Sequence, residues 1–270
     1  MLFFRNLSRM TYRNIKAVLV DLSGTIHIDD NEIPGSINAL KKIRQSNLQI
    51  KFVTNTTKES KRLLHARLTK IGFDIKQEEI FTSLTAARKL IDEQKLSPLM
   101  LIDDRAKEEF LISDTSSDKL NSVLIGLAPD KFNYTQMNKA FRLLQNGAKL
   151  IAIHKARYYK TNDGLNLGPG PFVSALEYSS GCKAEVVGKP QTSFFISAIE
   201  DIDIDPSECV MIGDDVRDDV VGAMTAGMNG ILVKTGKYRK GDEDYLLTGG
   251  NVGDSFAVAV DKILQDQSQT

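Results

Sequence analysis

Four short stretches of this 270-residue sequence end an apolar run on side chains that can do chemistry. "VLVDLSGT" reaches Asp21 and then Ser23. "KFVTN" reaches Thr54 and Asn55, "AEVVGKP" reaches Lys189, and "CVMIGDDVRDD" reaches Asp214 and Asp215. A carboxylate, a hydroxyl with an amide, a lysine and an acidic pair suit phosphoryl transfer. Asp21 can attack phosphorus to give an aspartyl-phosphate. Carboxylates with a backbone carbonyl suit Mg²⁺, a hard ion that prefers oxygen. Mg²⁺ and a lysine offset charge on the equatorial phosphate oxygens, and Thr and Asn donate hydrogen bonds to them. Singly, each stretch is ordinary: "DLSGT" can be a strand and a turn, and "GDDVRDD" a solvated helix start, since acids favour helix N-termini. Four in order, each after an apolar run, make coincidence improbable.

The elements that must position these residues alternate along the chain. "KAVLVD", "QIKFVTN" and "IFTS" have the composition of buried strands. "GSINALKKIRQ", "KESKRLLHARLTKIGF" (stopped by Gly72) and "LTAARKLIDEQ" have helical spacing. This is the pattern of βαβ units and a parallel sheet. It restarts with "PLMLID", "SVLIGLA" and "KLIAIH" around the helix "YTQMNKAFRLLQNG", which ends at Gly147. "RYYKTNDGLNLG" reads as a hairpin with an Asp-Gly turn. "AEVVGKP", "ECVMIGDD" and "NGILVKTG" resume the first style, and the polar residues 234–254 read as a long surface loop. In an open α/β sheet, ligands bind beyond the carboxyl ends of the strands, where the reactive residues fall.

Composition narrows the function classes. Thirty-five basic and 35 acidic residues give a formal net charge of +0, which offers no attraction to nucleic acid or an acidic membrane surface. No apolar run approaches the roughly 18 residues that span a bilayer. The chain has the length of roughly two domains. Cys182 and Cys209 make no disulfide framework, which points to a reducing compartment, the cytoplasm. "MLFFRNLSRMTYRN" holds three arginines and no acid, a weak likeness to a mitochondrial transit peptide. A frayed leader before the first strand is the plainer expectation, with Met10 as an alternative start.

"DLSGT", "VTN", "VGKP" and "GDDVRDD" resemble, in order, the four motifs of the haloacid dehalogenase superfamily of phosphatases. The resemblance extends over nearly the whole chain from Lys16. It implies an α/β fold: a Rossmann-like parallel-sheet core from residues 11–87 and 183–270, with an α/β cap of the second (C2) type inserted at 88–182. It implies that Asp21 is the nucleophile. Mg²⁺ is implied on the carboxylates of Asp21 and Asp214 and the carbonyl of Ser23. Thr54 and Asn55 match the phosphate-binding pair, and Lys189 the lysine that orients nucleophile and phosphate, so that Ser23, Thr54, Asn55 and Lys189 meet the substrate. Asp219 is implied behind the metal ligands, a task that Asp215 or Asp218 could share.

Most members of the superfamily carry an aspartate where this chain has Ser23, and that aspartate protonates the leaving oxygen and later activates water. A serine hydroxyl has no pKa near neutrality and is a poor general acid. The Mg²⁺ site survives, because the ligand there is a carbonyl. One account is a phosphatase whose substrates need little protonation: phosphoramidates such as phosphohistidine or phospholysine, acyl phosphates, or pyrophosphate. A relative within the family has this substrate class and, by resemblance, also carries Ser there. The other account is a weakly active or inactive protein that binds a phosphorylated ligand or a protein partner. Hydrolytic dehalogenation needs no Mg²⁺-binding acidic motif and fits poorly.

The cap is expected to choose the substrate. "HKARYYKTNDGLNLGPGPF" places Lys155, Arg157, Tyr158, Tyr159 and Lys160 on one hairpin, a basic and aromatic set suited to an anionic or aromatic leaving group, with His154 at its start; His154, Arg157 and Tyr158 are the expected specificity residues. The alternative is an ordinary solvated hairpin. By resemblance the cap is also a homodimer surface. His65 falls on an amphipathic helix and reads as packing or surface. His27 follows the first motif in what the family uses as a mobile flap. Zinc-site spacing of His, Asp and Glu is absent.

Overall fold

In the computed structural model, which describes residues 12–110, 119–161, 164–247 and 250–269, the apolar runs become strands. In order they are β1 (Ala17–Val20), β2 (His27–Ile28), β3 (Asn31–Glu32), β4 (Gln49–Thr54), β5 (Ile80–Thr82), β6 (Pro98–Leu101) and β7 (Ser122–Ile125). Then come β8 (Lys149–Ala152), β9 (Tyr158–Thr161), β10 (Gly164–Leu167), β11 (Glu185–Val186), β12 (Cys209–Gly213), β13 (Asn229–Val233) and β14 (Asn251–Gly253). The helices are α1 (Ser36–Arg44), α2 (Lys61–Ile71), α3 (Ser83–Glu93), α4 (Tyr134–Gln145), α5 (Gly170–Ser180), α6 (Thr192–Ile199), α7 (Gly222–Thr225) and α8 (Phe256–Ser268). Two compact units result: the described residues up to Phe52 with 71–74 and those from Ile199 onward, and residues 53–70 with 75–198.

The first unit is built on parallel strands in the order β14, β13, β12, β1, β4. Every residue of β1 and of β12 is buried. Strands covered on both faces by helices need such continuous apolar runs rather than alternation. α1 closes on a basic last turn, Lys41, Lys42 and Arg44, which complements the negative end of the helix dipole. Lys42 reaches Asp261 of α8 at 2.6 Å.

The second unit holds the sheet β11–β8–β7–β6, also parallel. Its strands alternate between two cores. Leu124 and Ile151 point to a cluster with Leu84, Ala87 and Ile91 of α3. Val123, Ile125 and Leu150 point to one with Ala140 and Leu144 of α4 and Val173 and Leu176 of α5. The period-2 geometry of a strand thus gives each face its own helices. Caps set the helix starts: the Thr82 hydroxyl accepts from the Thr85 amide at 3.0 Å, and Asn133 Oδ1 from the Gln136 amide at 3.1 Å. β9 and β10 pair as the expected antiparallel hairpin. Its tip, residues 162–163, lies outside the described residues, as do most of the leader and Met10.

One expectation is corrected. The segment 234–254 is not a single surface loop. Asn251–Gly253 forms β14, paired in parallel with β13 (Ile231 opposite Asn251), and Asp242–Tyr245 is a short 3₁₀ turn. A three-residue strand with two glycines before it and one inside carries no hydrophobic period.

Candidate active site

The β1–β12 pairing brings the acids together. With Val20 opposite Ile212, the two parallel strands end side by side, and the Asp21 amide continues the ladder to the Ile212 carbonyl at 2.9 Å. Asp21 and Asp214 therefore leave adjacent strands at their carboxyl ends. One turn beyond β12, the π-helical segment Val216–Val221 brings Asp219 back toward them. Asp21, Asp214 and Asp219 are 6%, 1% and 2% exposed. Their carboxylate oxygens lie within 4.8 Å of one another, the only such grouping of His, Cys, Asp or Glu among the described residues. Three buried carboxylates this close repel. Hard oxygen donors under mutual repulsion fit Mg²⁺.

Each acid is oriented by a neighbour. Thr25 Oγ1 donates to Asp21 Oδ2 at 3.1 Å. The Asp215 amide donates to Asp219 Oδ2 at 3.0 Å. Asp215 itself turns to the helix start, where its Oδ1 accepts from the Arg217 and Asp218 amides at 3.1 and 3.0 Å. Asp215 thus caps the helical segment and takes no place in the three-acid cluster. Asp218 lies in that segment's first turn.

The residue that sequence reasoning misses is Lys237. Its amide donates to Asp214 Oδ2 at 2.6 Å, and its Nζ lies 3.3 Å from Asp215 Oδ2. Burial pushes the Asp214 carboxyl up to about 7; Lys237 opposes the rise and the Asp21 charge adds to it. Burial alone would lower the Lys237 ammonium, but Asp214, Asp215, Asp219 and Asp21 hold it well above its ordinary value. Asp215 is held below its ordinary value: burial works against this, and Lys237 with two helical amides outweighs it.

Two glycines let the backbone reach Asp214. Gly24 has φ +95° and Gly236 φ +52°, and a Cβ on either would collide with Asp214 Oδ2. Thr235 Oγ1 ties the two segments by donating to the Gly24 carbonyl at 2.5 Å. Gly236→Ala should therefore lower stability by about 1–3 kcal/mol in denaturant unfolding, from left-handed strain and displacement of the carboxylate. Gly241→Ala shares the positive φ but meets nothing within 4 Å, and should cost less. Equal losses for the two variants would show that the close approach at Gly236 is unimportant.

Ser23 is exposed and bridges to His27, and the Gly24 amide donates to the His27 carbonyl at 2.7 Å. His27 is buried, with Nδ1 2.8 Å from the Asp29 carbonyl. Its ring is packed into the turn rather than presented to solvent.

The second unit gathers the other predicted residues. Lys189 is 3% exposed, and its Nζ donates to the Val53 carbonyl at 3.2 Å. Asn55 holds the Lys189 backbone from both sides: Oδ1 accepts from the Lys189 amide at 2.9 Å and Nδ2 donates to its carbonyl at 3.0 Å. The side chain expected to donate to phosphate is thus first a clamp on the lysine. Thr54, buried at the end of β4, accepts from the Thr56 amide at 3.2 Å. Thr57 Oγ1 accepts from the Leu127 amide at 2.9 Å.

Members of the basic and aromatic set find separate partners. Lys155 pairs with Glu177 of α5 at 2.5 Å and does not belong to the hairpin strands. Arg157 lies 5.7 Å from the Tyr158 ring, and Lys58 4.3 Å above the Tyr159 ring. His154 is buried just after β8, and its Nδ1 is 3.4 Å from the Ala156 amide. The Lys160 side chain lies outside the described residues. His65 Nε2 meets the Ile75 carbonyl at 2.8 Å, a packing role. Cys209 is a buried thiol that burial pushes up to about 12, and Cys182 accepts from Ser180 Oγ at 3.0 Å.

A parallel sheet that ends in Asp21 and a buried acidic cluster carries the first and last of the four motifs at one edge, and the chain belongs to the haloacid dehalogenase-like hydrolases. The model of that description matches residues 18–114, and a second, HAD-hydrolase-like, matches 186–259. The chain is 58% identical to haloacid dehalogenase-like hydrolase domain-containing protein 2 of Bos taurus, over 94% of this chain and 98% of that protein. It is 41% identical to the phospholysine phosphohistidine inorganic pyrophosphate phosphatase of Homo sapiens, over 93% and 95%. The 4-nitrophenylphosphatase of Thermotoga maritima superposes with a TM-score of 0.84 at 23% identity, over 93% and 98%. The glycerol phosphate phosphatase of Mycobacterium tuberculosis in complex with magnesium gives 0.81 at 23%, over 96% and 80%. Such likenesses carry the fold: a Rossmann-like parallel-sheet core with an inserted α/β cap.

Proposed function

We propose that the protein is a Mg²⁺-dependent phosphatase that works through an aspartyl-phosphate on small phosphorylated substrates whose leaving groups need little protonation. The observation that carries this reading is the buried cluster of Asp21, Asp214 and Asp219 beside a first motif with Ser23 in place of an acid. The phosphatase names and the magnesium complex among its relatives agree with it. We infer that residues 88–182 form the cap and that the two free thiols fit a reducing compartment, the cytoplasm.

On this reading an Asp21 oxygen attacks phosphorus. The bond from phosphorus to the leaving oxygen or nitrogen breaks, and its electron pair departs with the leaving group. Water then adds to the aspartyl-phosphate, releasing phosphate and restoring the carboxylate. Asp21 and Asp214 would hold Mg²⁺ with the Ser23 carbonyl. Asp219, expected behind them, offers an oxygen to the same cluster. Bound there, Mg²⁺ supplies positive charge against the phosphate oxygens. Thr25 orients Asp21. Lys189 has the role of offsetting phosphate charge, and Asn55 that of fixing Lys189. Acyl phosphates and pyrophosphate have weakly basic leaving groups and phosphoramidates bring their own proton on the leaving nitrogen, so the loss of the usual aspartate costs their bond-breaking step little.

A panel of phosphohistidine, phospholysine, pyrophosphate and alkyl phosphates, assayed with Mg²⁺ and with EDTA, tests the reading. Turnover of the first three with Mg²⁺ and none in EDTA is expected. Binding without turnover of any substrate would replace it with the reading of a phospholigand-binding protein.

The metal should also compete with a proton. Asp214 shifts from 3.8 to about 7 on folding, so the folded state binds more protons between these values. The contribution of Asp214 to metal-free stability therefore falls as pH rises from about 4 to 7. Mg²⁺ needs the ionised form, so its gain in Tm should be small at pH 5.5 and large at pH 8. Thermal unfolding in EDTA and in Mg²⁺ across that range checks this, and a gain independent of pH would contradict it.

A further inference from the structure

We propose that Lys237 is the built-in counter-ion of the acidic cluster, and that it sets how tightly the site holds Mg²⁺. The proposal rests on the metal reading above. The loop after β13 delivers Lys237 to the acids by an unusual route. Gly236 lies against Asp214 and Gly24 with a backbone that admits no Cβ, and Thr235 fastens the loop to Gly24. The next residue then contacts two successive acids, Asp214 through its amide and Asp215 through its ammonium. A lysine that merely decorated a surface loop would need neither glycine.

The chemistry explains why a cation belongs there. The fold must bury Asp21, Asp214 and Asp219 before any metal arrives, and uncompensated buried charge is costly. An ammonium held 3.3 Å from Asp215, the residue next to Asp214, offsets that charge in the metal-free protein. The same charge repels an incoming divalent cation. Lys237 therefore exchanges some metal affinity for a site that stays folded when empty. Its backbone bond to Asp214 is independent of the side chain, so replacing the side chain separates charge from loop geometry.

The test compares wild type with Lys237→Met and Lys237→Arg at pH 8. Tm is measured in EDTA, and Mg²⁺ affinity by calorimetric titration. The Met variant should melt below wild type in EDTA, and its Mg²⁺ Kd should fall by roughly tenfold, since one unit charge near a divalent ion is removed. Its deficit in Tm should shrink at saturating Mg²⁺. The Arg variant keeps the charge and should match wild type in both measurements. Lys237→Gln, polar but uncharged, replaces the Met variant if that one does not fold in EDTA. A purely structural lysine would leave Mg²⁺ affinity unchanged or weaken it on removal, and either result overturns the proposal. So does an Arg variant that behaves like the uncharged one. A wild type that binds no Mg²⁺ would remove the metal reading itself, and the proposal with it.

Discussion

Asp21→Asn should abolish hydrolysis and leave the protein folded. An amide oxygen cannot form the aspartyl-phosphate, and loss of a nucleophile costs at least about 10³-fold in turnover, up to about 10⁶ where the reacting groups act as a unit. The substitution is nearly isosteric, so the strand end should hold. The Asp21 amide still reaches the Ile212 carbonyl, and Thr25 Oγ1 can donate to the new side-chain oxygen as it does to the carboxylate. One negative charge leaves a group of three buried acids, so repulsion on Asp214 falls. Tm in EDTA should stay level or rise, while the Mg²⁺ gain in Tm should shrink. Turnover with Mg²⁺ and thermal unfolding with and without metal measure both halves. More than a few per cent of wild-type turnover, with deamidation ruled out by mass, would mean that Asp21 is not the nucleophile.

That expectation could be framed from sequence because β1 and β12 are legible there. Both are continuous apolar runs that stop abruptly at acids, and a strand buried on both faces has no other way to be written. Asp21 and Asp214 follow from where the runs end. Asp219 is less direct: its place depends on a π-helical segment that spacing does not announce. Lys237 is hidden because its surroundings, "KTGKYRKGDEDY", have the composition of a solvated loop. The signal that could have found it is the pair Thr235 and Gly236 directly after a buried strand, the same strand-then-Gly grammar that marks Gly24. The Asn55 clamp was beyond reach for another reason. Its partner lies 134 residues away, and hydrogen bonds at that separation leave no period. α5 and α6 went unrecognised because "GPFVSALEYSS" and "TSFFISAI" lack a polar face of regular spacing. The partners of the basic run "HKARYYK" are not legible in its composition. Lys155 pairs with Glu177, a choice that α5 makes and the hairpin cannot.

Ser23→Asp should raise hydrolysis of alkyl phosphates most. An alkoxide is a strongly basic leaving group, and on the proposed mechanism a carboxylic acid two residues after Asp21 could protonate it as it departs. General acid catalysis is worth about 10²–10⁴ in rate, which sets the ceiling, and imperfect placement of the new carboxyl lowers it. The position can accept the change. Ser23 is exposed, so the new side chain displaces no core atom, and its backbone bridge to His27 does not depend on the side chain. Pyrophosphate and phosphohistidine leave with less help, so their rates should change little. The ratio of alkyl phosphate to phosphohistidine kcat/KM, measured for both proteins at fixed Mg²⁺, isolates the effect from any general change in metal binding. The added negative charge sits near the acidic cluster and should tighten Mg²⁺ modestly for every substrate, which the ratio cancels. An equal change on all substrates, or a loss on all, would show that Ser23 has a role other than a missing acid. Brisk alkyl phosphate hydrolysis by the wild type would show that another group already supplies the proton. His27, buried with Nδ1 against the Asp29 carbonyl, is poorly placed to be that group.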